Sequence, residues 1–287
     1  MENGKNDFLQ VTVLVENTSD TNLKCEHGLS LWIEFQGKKI LLDAGSSDLF
    51  IENASLLGID VSTTDYAVLS HGHYDHSTGF GGFFEINSSA PVYARKGFDG
   101  KYFSNSGGKM HEISVPSKII SENRNRFILT GRTQKIEENV YLVPHNTPKL
   151  SETGLRAGLF KEEDGKIQPD DFAHEQSLVL RTSNGLVIFN SCSHAGLLAI
   201  VSEVAEEFPE EKIYAFFGGL HMKGKKDGKE ICAFSEEQVD AQAEVIRKYG
   251  LSYVYTGHCT GLEGYRKLKD RLGEVIQPLT TGKMILM

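Results

Sequence analysis

The chain has 287 residues, 39% of them hydrophobic and 24% charged, with a formal net charge of -9 at pH 7. That composition is ordinary for a globular protein large enough to bury a sizeable core without disulfide or metal staples. The acidic balance argues against a non-specific binder of nucleic acid or anionic membrane, since both need basic surfaces, although it leaves room for a local basic pocket.

Strand-like runs open the sequence at Leu9 to Val15, Leu29 to Phe35 and Lys39 to Leu42, with Gln36-Gly37-Lys38 as a tight hairpin turn between the last two. Asp43-Ala44-Gly45 ends the third strand. Leu49, Phe50, Ala54 and Leu57 then recur at helical spacing. Tyr66 to Leu69 reads as a short buried strand, and Gly79 to Ile86 as a short helix. Residues 95 to about 136 are irregular and rich in Gly, Ser, Asn and Lys, which suggests an insertion beside an active-site mouth. Val140 to Val143 is a further strand, and residues 144 to 173 read as a long polar loop. A second hairpin follows, Ser177 to Arg181 with Leu186 to Asn190, turning at Ser183-Asn184-Gly185. The remainder alternates: a helix over about 196–208, a strand at Ile213 to Phe217, a helix over about 235–249, a strand at Ser252 to Thr256, a helix over about 262–272 and a last strand near Lys283 to Leu286. Two halves that each open on a hairpin and gain helices later imply two sheets with helices outside them, in one domain spanning 1–287.

The densest chemical signal is Ser70-His71-Gly72-His73-Tyr74-Asp75-His76-Ser77, directly after the 66–69 strand. Imidazole and carboxylate together suit zinc, manganese or iron. A loop at a strand's end is where α/β proteins put their chemistry. Read as an extended loop with alternating sides, His71 and His73 serve one ion, and Asp75 with His76 a second. Further ligands must come from other strand ends. The candidates are His174, His194, His221, His258 and the Cys192 thiol.

This pattern resembles the metallo-β-lactamase-fold hydrolase superfamily. The resemblance rests on the early hairpin, Leu41-Leu42-Asp43-Ala44-Gly45, the loop at 71–76 and the later ligand-bearing strand ends. It implies an α/β protein with a four-layer αββα sandwich and one or two divalent ions, zinc being the first expectation. Carried over, the first ion takes His71, His73 and His174, with His194 as competitor for the third place. The second takes Asp75, His76 and His258. Where the family shows Thr-Gly-Asp at the bridging position, this chain has Asn190-Ser191-Cys192, so Cys192 offers a softer ligand and unequal occupancy is expected. Cys25-Glu26-His27-Gly28-Leu29-Ser30, Ser191-Cys192-Ser193-His194-Ala195-Gly196 and Phe217-Gly218-Gly219-Leu220-His221 look like the subgroup containing dihydropterin-ribofuranosylaminobenzene-phosphate synthases.

The resulting expectation is a metal-dependent hydrolase that turns an activated water on a phosphoester, ester or lactone-like small molecule. The alternative is a pterin-related transferase releasing diphosphate. Asp75 would steer a proton, and His194 or His221 would assist the leaving group. Asp43 reads as a residue that orients the ligand histidines or caps the next helix, rather than as a ligand. Lys223, Lys225 and Lys226 read first as a solvated loop and second as a phosphate contact. The glycines at 79–82 lack the Gly-Lys-Ser/Thr of a phosphate loop and more simply let the metal loop turn. His27 reads as lining the mouth or as a core-edge histidine, and His111 and His145 receive no role.

The cysteines Cys25, Cys192, Cys232 and Cys259 include no Cys-x-x-Cys pair, so neither a disulfide framework nor a zinc ribbon is expected, and a reducing cytoplasm is. Cys25, Cys232 and Cys259 read as buried filler. Met1 to Asp7 is polar and lacks a signal-peptide core, and no apolar run approaches the roughly 20 residues of a membrane span.

Overall fold

The computed structural model describes residues 8–287, so the polar Met1 to Asp7 lies outside the described residues. In chain order the first elements are β1 Leu9–Val15, β2 Ser30–Phe35, β3 Lys38–Leu42, α1 Leu49–Leu56, β4 Tyr66–Val68, α2 Tyr74–Ser77, α3 Phe80–Ile86 and β5 Val92–Arg95. Then come β6 Lys101–Ser104, β7 His111–Glu112, α4 Ser117–Asn123, β8 Phe127–Thr130, β9 Gln134–Glu137, β10 Val140–Pro144, α5 Leu150–Ala157, β11 Leu159–Glu163 and β12 Lys166–Pro169. The last are β13 Gln176–Thr182, β14 Gly185–Phe189, α6 Leu197–Glu207, β15 Ile213–Phe217, β16 Lys223–Lys226, β17 Lys229–Cys232, α7 Glu236–Lys248, β18 Tyr253–Thr256, α8 Gly261–Leu272, β19 Ile276–Pro278 and β20 Met284–Leu286. The α/β class read from the sequence is the one observed.

The chain divides into two compact units. The first comprises residues through Tyr102, Ile113–Gly131 and Thr280–Met287; the second comprises Phe103–Glu112 and Arg132–Leu279.

The first unit is built on a seven-stranded sheet in the order β20-β1-β2-β3-β4-β5-β8. Its opening strands are antiparallel, and β3, β4, β5 and β8 run parallel. Side chains alternate across a strand. On one face Trp32, Leu41, Ala67, Leu69, Val92 and Ala94 pack with Phe50 and Ala54 of α1, Phe80 and Phe83 of α3 and Ile119 of α4. Phe84, Phe98 and Phe127 extend this core as ring contacts, with Phe98 stacked on Phe127 at 4.8 Å. Gly79 sits at the joint between α2 and α3. A Cβ there would lie 2.0 Å from the Ala44 carbonyl oxygen and 2.5 Å from that of Ser47, so only glycine lets the histidine loop lie against the end of β3.

The second unit carries a seven-stranded sheet in the order β19-β18-β15-β14-β13-β10-β9. Strands β14, β15, β18 and β19 are parallel. Phe189, Phe217 and Tyr255 stand in register on three neighbouring strands and stack face to face, at 4.8 Å and 4.6 Å between centroids. This ladder brings three strand ends level at the places where the loops of Cys192 and His194, His221 and His258 begin. Ser235 caps α7 by accepting from the Gln238 amide, while the Gln238 side chain returns to the Ser235 amide. Helix α6 is tied to the sheet by Glu203. Its carboxylate accepts from His145 Nδ1 at 2.8 Å, the Asn146 amide at 2.9 Å and the Thr147 hydroxyl at 2.7 Å.

Several expectations are corrected here. Residues 144–173 are not a loop: they hold α5, β11 and β12, whose charged faces and Gly turns hid their periodicity. Strands β11 and β12 join β6 and β7 in a four-stranded sheet, so part of the irregular 95–136 segment is paired rather than free. Lys223, Lys225 and Lys226 lie on a strand, in a hairpin that turns at Asp227-Gly228 with both residues left-handed (φ 51° and 77°). The last strand, β20, does not extend the second sheet; it returns to pair with β1.

Two outcomes follow. Gly79→Ala should cost about 1–3 kcal/mol of unfolding free energy by urea denaturation, because the clash is with backbone and cannot be relieved by a rotamer change. Burial pushes the Glu203 carboxyl up, but hydrogen bonds from His145, Thr147 and Asn146 outweigh it and hold the group below its ordinary 4.5. A depressed carboxyl contributes stability that is present above its unfolded value and lost as pH falls through the folded one. Glu203→Gln should therefore be less stable than wild type at neutral pH, with the gap closing as pH drops below about 4.5 in thermal melts.

Candidate metal and active site

In the first unit the histidine loop begins where β4 ends. Asp43, just past β3, is completely buried and left-handed (φ 57°). Its Oδ1 accepts the Ser70 amide at 2.7 Å, and its Oδ2 accepts the Ser70 hydroxyl at 2.7 Å and meets His76 Nδ1 at 2.8 Å. The Ser70 hydroxyl also meets His71 Nδ1 at 2.8 Å. Ser70 has one hydroxyl hydrogen, and Asp43 takes it, so Ser70 must accept from His71 Nδ1–H. By the same logic His76 donates from Nδ1 to the carboxylate. Both rings are thereby fixed in the tautomer that leaves Nε2 as the lone-pair donor, which is how outer partners orient metal-binding histidines. Asp43 has the orienting role expected of it.

The loop is not extended past His73. Tyr74–Ser77 forms one helical turn with His73 at its N-cap, and the Ser77 hydroxyl donates back to the His73 carbonyl at 2.8 Å. Asp75 and His76 therefore do not alternate in side as the residues of an extended loop would, contrary to the expectation from the sequence. The His71 ring lies instead between the other two, 4.5 Å from His73 and 4.3 Å from His76. His71, His73, Asp75 and His76 are all buried, and Asp75 Oδ2 is 3.6 Å from His76 Nε2. One ligand atom from each of Asp43, His71 and His76 lies within 4.8 Å of the others. His27, half exposed, brings its Nε2 to 3.2 Å from Asp75 Oδ2, which places it beside the loop rather than in the core.

In the second unit His174, Cys192, His194 and His258 are buried, and His221 is partly so. His194 and His221 are brought together, with rings 4.5 Å apart. His174 Nε2 is 3.0 Å from Asp170 Oδ2. Ser193, His221 and His258 all sit at left-handed φ (53°, 48° and 47°), an uncommon conformation for residues with a Cβ. Gly218 turns the chain out of β15, and a Cβ there would be 1.8 Å from the Asn190 carbonyl. Cys259 is buried as expected, with Sγ 3.5 Å from the Cys192 carbonyl. Burial would raise its thiol, but contacts from Cys192 and His221 and the charge of His258 hold it well below 9.0. Cys25, by contrast, is exposed and Cys232 half-buried, so neither is core filler.

Sequence reasoning missed several residues that build this half. Glu175 is wholly buried, and its two oxygens accept the His194 amide at 2.8 Å and the Ala195 amide at 2.9 Å. Burial pushes its carboxyl above the ordinary 4.5, against the pull of His145, those two amides and His174. Phe172 stacks on His194 at 5.2 Å. His145, given no role before, meets Ser177 Oγ at 2.8 Å; Asn190 Nδ2 donates to the same oxygen at 3.1 Å, and Asn190 Oδ1 accepts the Ser193 amide at 2.7 Å. The one available signal was His174-Glu175, a carboxylate directly beside a candidate ligand at a strand start.

Within the first unit, the buried imidazoles of His71 and His76, with tautomers fixed by their partners, and a buried carboxylate form a donor set that fits a divalent ion such as zinc. The family model of the metallo-beta-lactamase superfamily matches residues 23–107, which include Asp43 and the whole histidine loop. A 7,8-dihydropterin-6-methyl-4-(beta-D-ribofuranosyl)-aminobenzene-5'-phosphate synthase of Methanocaldococcus jannaschii is 28% identical over 99% of this chain and 99% of its own. Among solved structures, Tm1679, a metal-dependent hydrolase of the beta-lactamase superfamily, aligns with a TM-score of 0.77 at 28% identity, covering 96% of this chain and 98% of that one. Zn(2+)-bound PqqB from Methylobacterium extorquens shares the fold, with a TM-score of 0.58 at 12% identity and coverage of 96% and 99%. Residues 23–107 thus match the metallo-beta-lactamase superfamily model, and along nearly its whole length the chain is similar to the Methanocaldococcus jannaschii synthase and to a metal-dependent hydrolase of that superfamily.

Proposed function

We propose that this protein is a metal-dependent hydrolase acting on a phosphoester, ester or lactone-like small molecule. The observation that carries this reading is the chain of hydrogen bonds from Asp43 through Ser70 to His71, and from Asp43 to His76. A buried carboxylate committed to setting two imidazole tautomers has little purpose in a merely structural loop. The proposed ligands are His71, His73 and His174 for one ion, with His194 the alternative third, and Asp75, His76 and His258 for a second. Cys192, where the resembled family carries an acidic residue, would offer a softer ligand, so that unequal occupancy is expected.

A divalent ion bound there, zinc by the donor chemistry, supplies a water nucleophile at neutral pH and polarises the substrate oxygen. The chain's own residues do the rest. Asp75 would accept the proton that the attacking water gives up. His194 or His221, whose rings lie 4.5 Å apart, would assist the leaving group by supplying its proton. We place this chemistry in a reducing cytoplasm, a reading supported by four free cysteines. No described helix is long and apolar enough to cross a membrane.

A second reading is a pterin-related transferase that releases diphosphate, favoured by the end-to-end likeness to the Methanocaldococcus jannaschii synthase. It implies a phosphorylated substrate. Incubation with a dihydropterin diphosphate and a ribofuranosylaminobenzene phosphate separates the two by mass spectrometry. A joined product with free diphosphate supports the transferase, and hydrolysed pterin alone supports the hydrolase.

Elemental mass spectrometry of the purified protein should find stoichiometric metal in wild type. His71→Ala and His174→Ala should abolish it, and loss with His194→Ala instead would move the third ligand. Asp43→Ala should lower metal affinity by about 10–100-fold without removing any ligand atom, because the rings lose their fixed tautomer. Absence of metal from wild type after reconstitution with zinc, manganese and iron would overturn the hydrolase reading.

A further inference from the structure

We infer that Glu175 is a positioning residue that locks the His174 and His194 segments of the second unit to one another. The inference rests on the metal-dependent reading above and names a device within that same site.

The turn at 192–196 is held in an unusual way. Three successive backbone amides, those of Ser193, His194 and Ala195, each donate to a buried side-chain oxygen: Asn190 Oδ1 at 2.7 Å, Glu175 Oε1 at 2.8 Å and Glu175 Oε2 at 2.9 Å. Such a run of inward-facing amides is a ready anion cradle. Here the anion is internal, a carboxylate with both oxygens used. The turn that it fills is strained, with Ser193 left-handed (φ 53°), and is further tied by the Ser193 hydroxyl to the Gly219 carbonyl at 2.7 Å. A strained turn persists only where its surroundings over-determine it.

Glu175 is also the residue after His174, and its own amide donates to the Phe172 carbonyl at 2.9 Å. The short segment from Asp170 to Glu175 therefore acts on the two histidines together. Asp170 uses one oxygen on the Phe172 amide at 2.9 Å and the other on His174 Nε2 at 3.0 Å. The Phe172 ring lies flat against His194, tilted by only 15°. Glu175 holds the His194 backbone. Ring and backbone of His194 are thus fixed by the segment that carries His174. Side chains supported in this way keep a binding geometry that a loop alone would not.

The test compares wild type, Glu175→Gln, Glu175→Asp and, as a control of matched instability, Leu268→Ala, which truncates a fully buried side chain on α8. Glutamine offers one acceptor where two amides need one each. Aspartate keeps the charge but is one methylene too short to reach both. Zinc affinity is read by chelator competition, and amide exchange of residues 193–196 by hydrogen–deuterium exchange. Glu175→Gln should weaken zinc binding by about 10–100-fold, the range for outer partners of ligands, and speed exchange at His194 and Ala195. Glu175→Asp should do both to a smaller degree, and decides the matter alone should the glutamine variant not fold. Leu268→Ala should lower the melting temperature and leave zinc affinity and exchange at 193–196 unchanged. Wild-type zinc affinity in a folded Glu175 variant overturns the inference, as does an equal loss of affinity in Leu268→Ala. Were wild type itself to bind none of zinc, manganese and iron, the hydrolase reading would fall, while unchanged exchange at 193–196 in the Glu175 variants would separately refute the clasp.

Discussion

The Asp43 carboxylate is the constraint from which the candidate site is built. It is fully buried, and burying an ionised carboxylate is costly unless its oxygens are satisfied by donors. Three groups satisfy it: the Ser70 amide, the Ser70 hydroxyl and the His76 ring. Each lies on the segment that leaves β4, so the need to pair one charge draws the end of β3 and the start of the histidine loop together. Proton positions follow from donor counting, and with them the orientation of two imidazoles. Backbone contacts support the same joint, since the Ala44 amide donates to the His76 carbonyl at 2.8 Å and the Ser30 hydroxyl to the Asp43 carbonyl at 2.9 Å.

The second unit meets a similar demand by different means. Its strands end level because an aromatic ladder aligns them, and its loops leave those ends through conformations that most residues avoid. Left-handed φ at a residue with a Cβ costs of order 1–3 kcal/mol, and here it falls on Ser193, His221 and His258. Packing and buried hydrogen bonds offset that cost: Asn190 and Glu175 around Ser193, and Thr260 Oγ1 accepting the Leu220 amide at 2.8 Å beside His221. In both units a polar side chain buried by the fold sets the shape of a loop that carries imidazoles.

Much of this was legible in the sequence because it is local. The loop at 71–76 announces itself by residue type and spacing, the strand Leu9–Val15 by apolar residues that begin in alternation, and the strand Ile213–Phe217 by a continuous apolar run. Asp43 was legible as an orienting residue from its place after a strand. What could not be read was pairing between distant segments. Nothing in Glu175 alone tells that its partners are 19 and 20 residues away, at His194 and Ala195. Strands β11 and β12 escaped because partly exposed, charge-rich strands lack the apolar alternation that marks a half-buried one. Cys25 was misjudged because cysteine is usually buried, a prior that outweighed its charged neighbours Lys24 and Glu26.

The return of β20 to β1 has a consequence for how the protein is made. Gln10 pairs with Leu286 and Thr12 with Met284, so the edge of the first sheet is closed by residues synthesised after every part of the second unit. At a ribosomal rate of about 5–20 residues per second, β1 waits on the order of tens of seconds for this partner. During that interval its outer edge offers unpaired amides and carbonyls to any other extended chain, the usual starting point for edge-to-edge association. The first unit is therefore completed last although most of it is translated first, and crowded synthesis puts this edge at the greatest risk of mispairing.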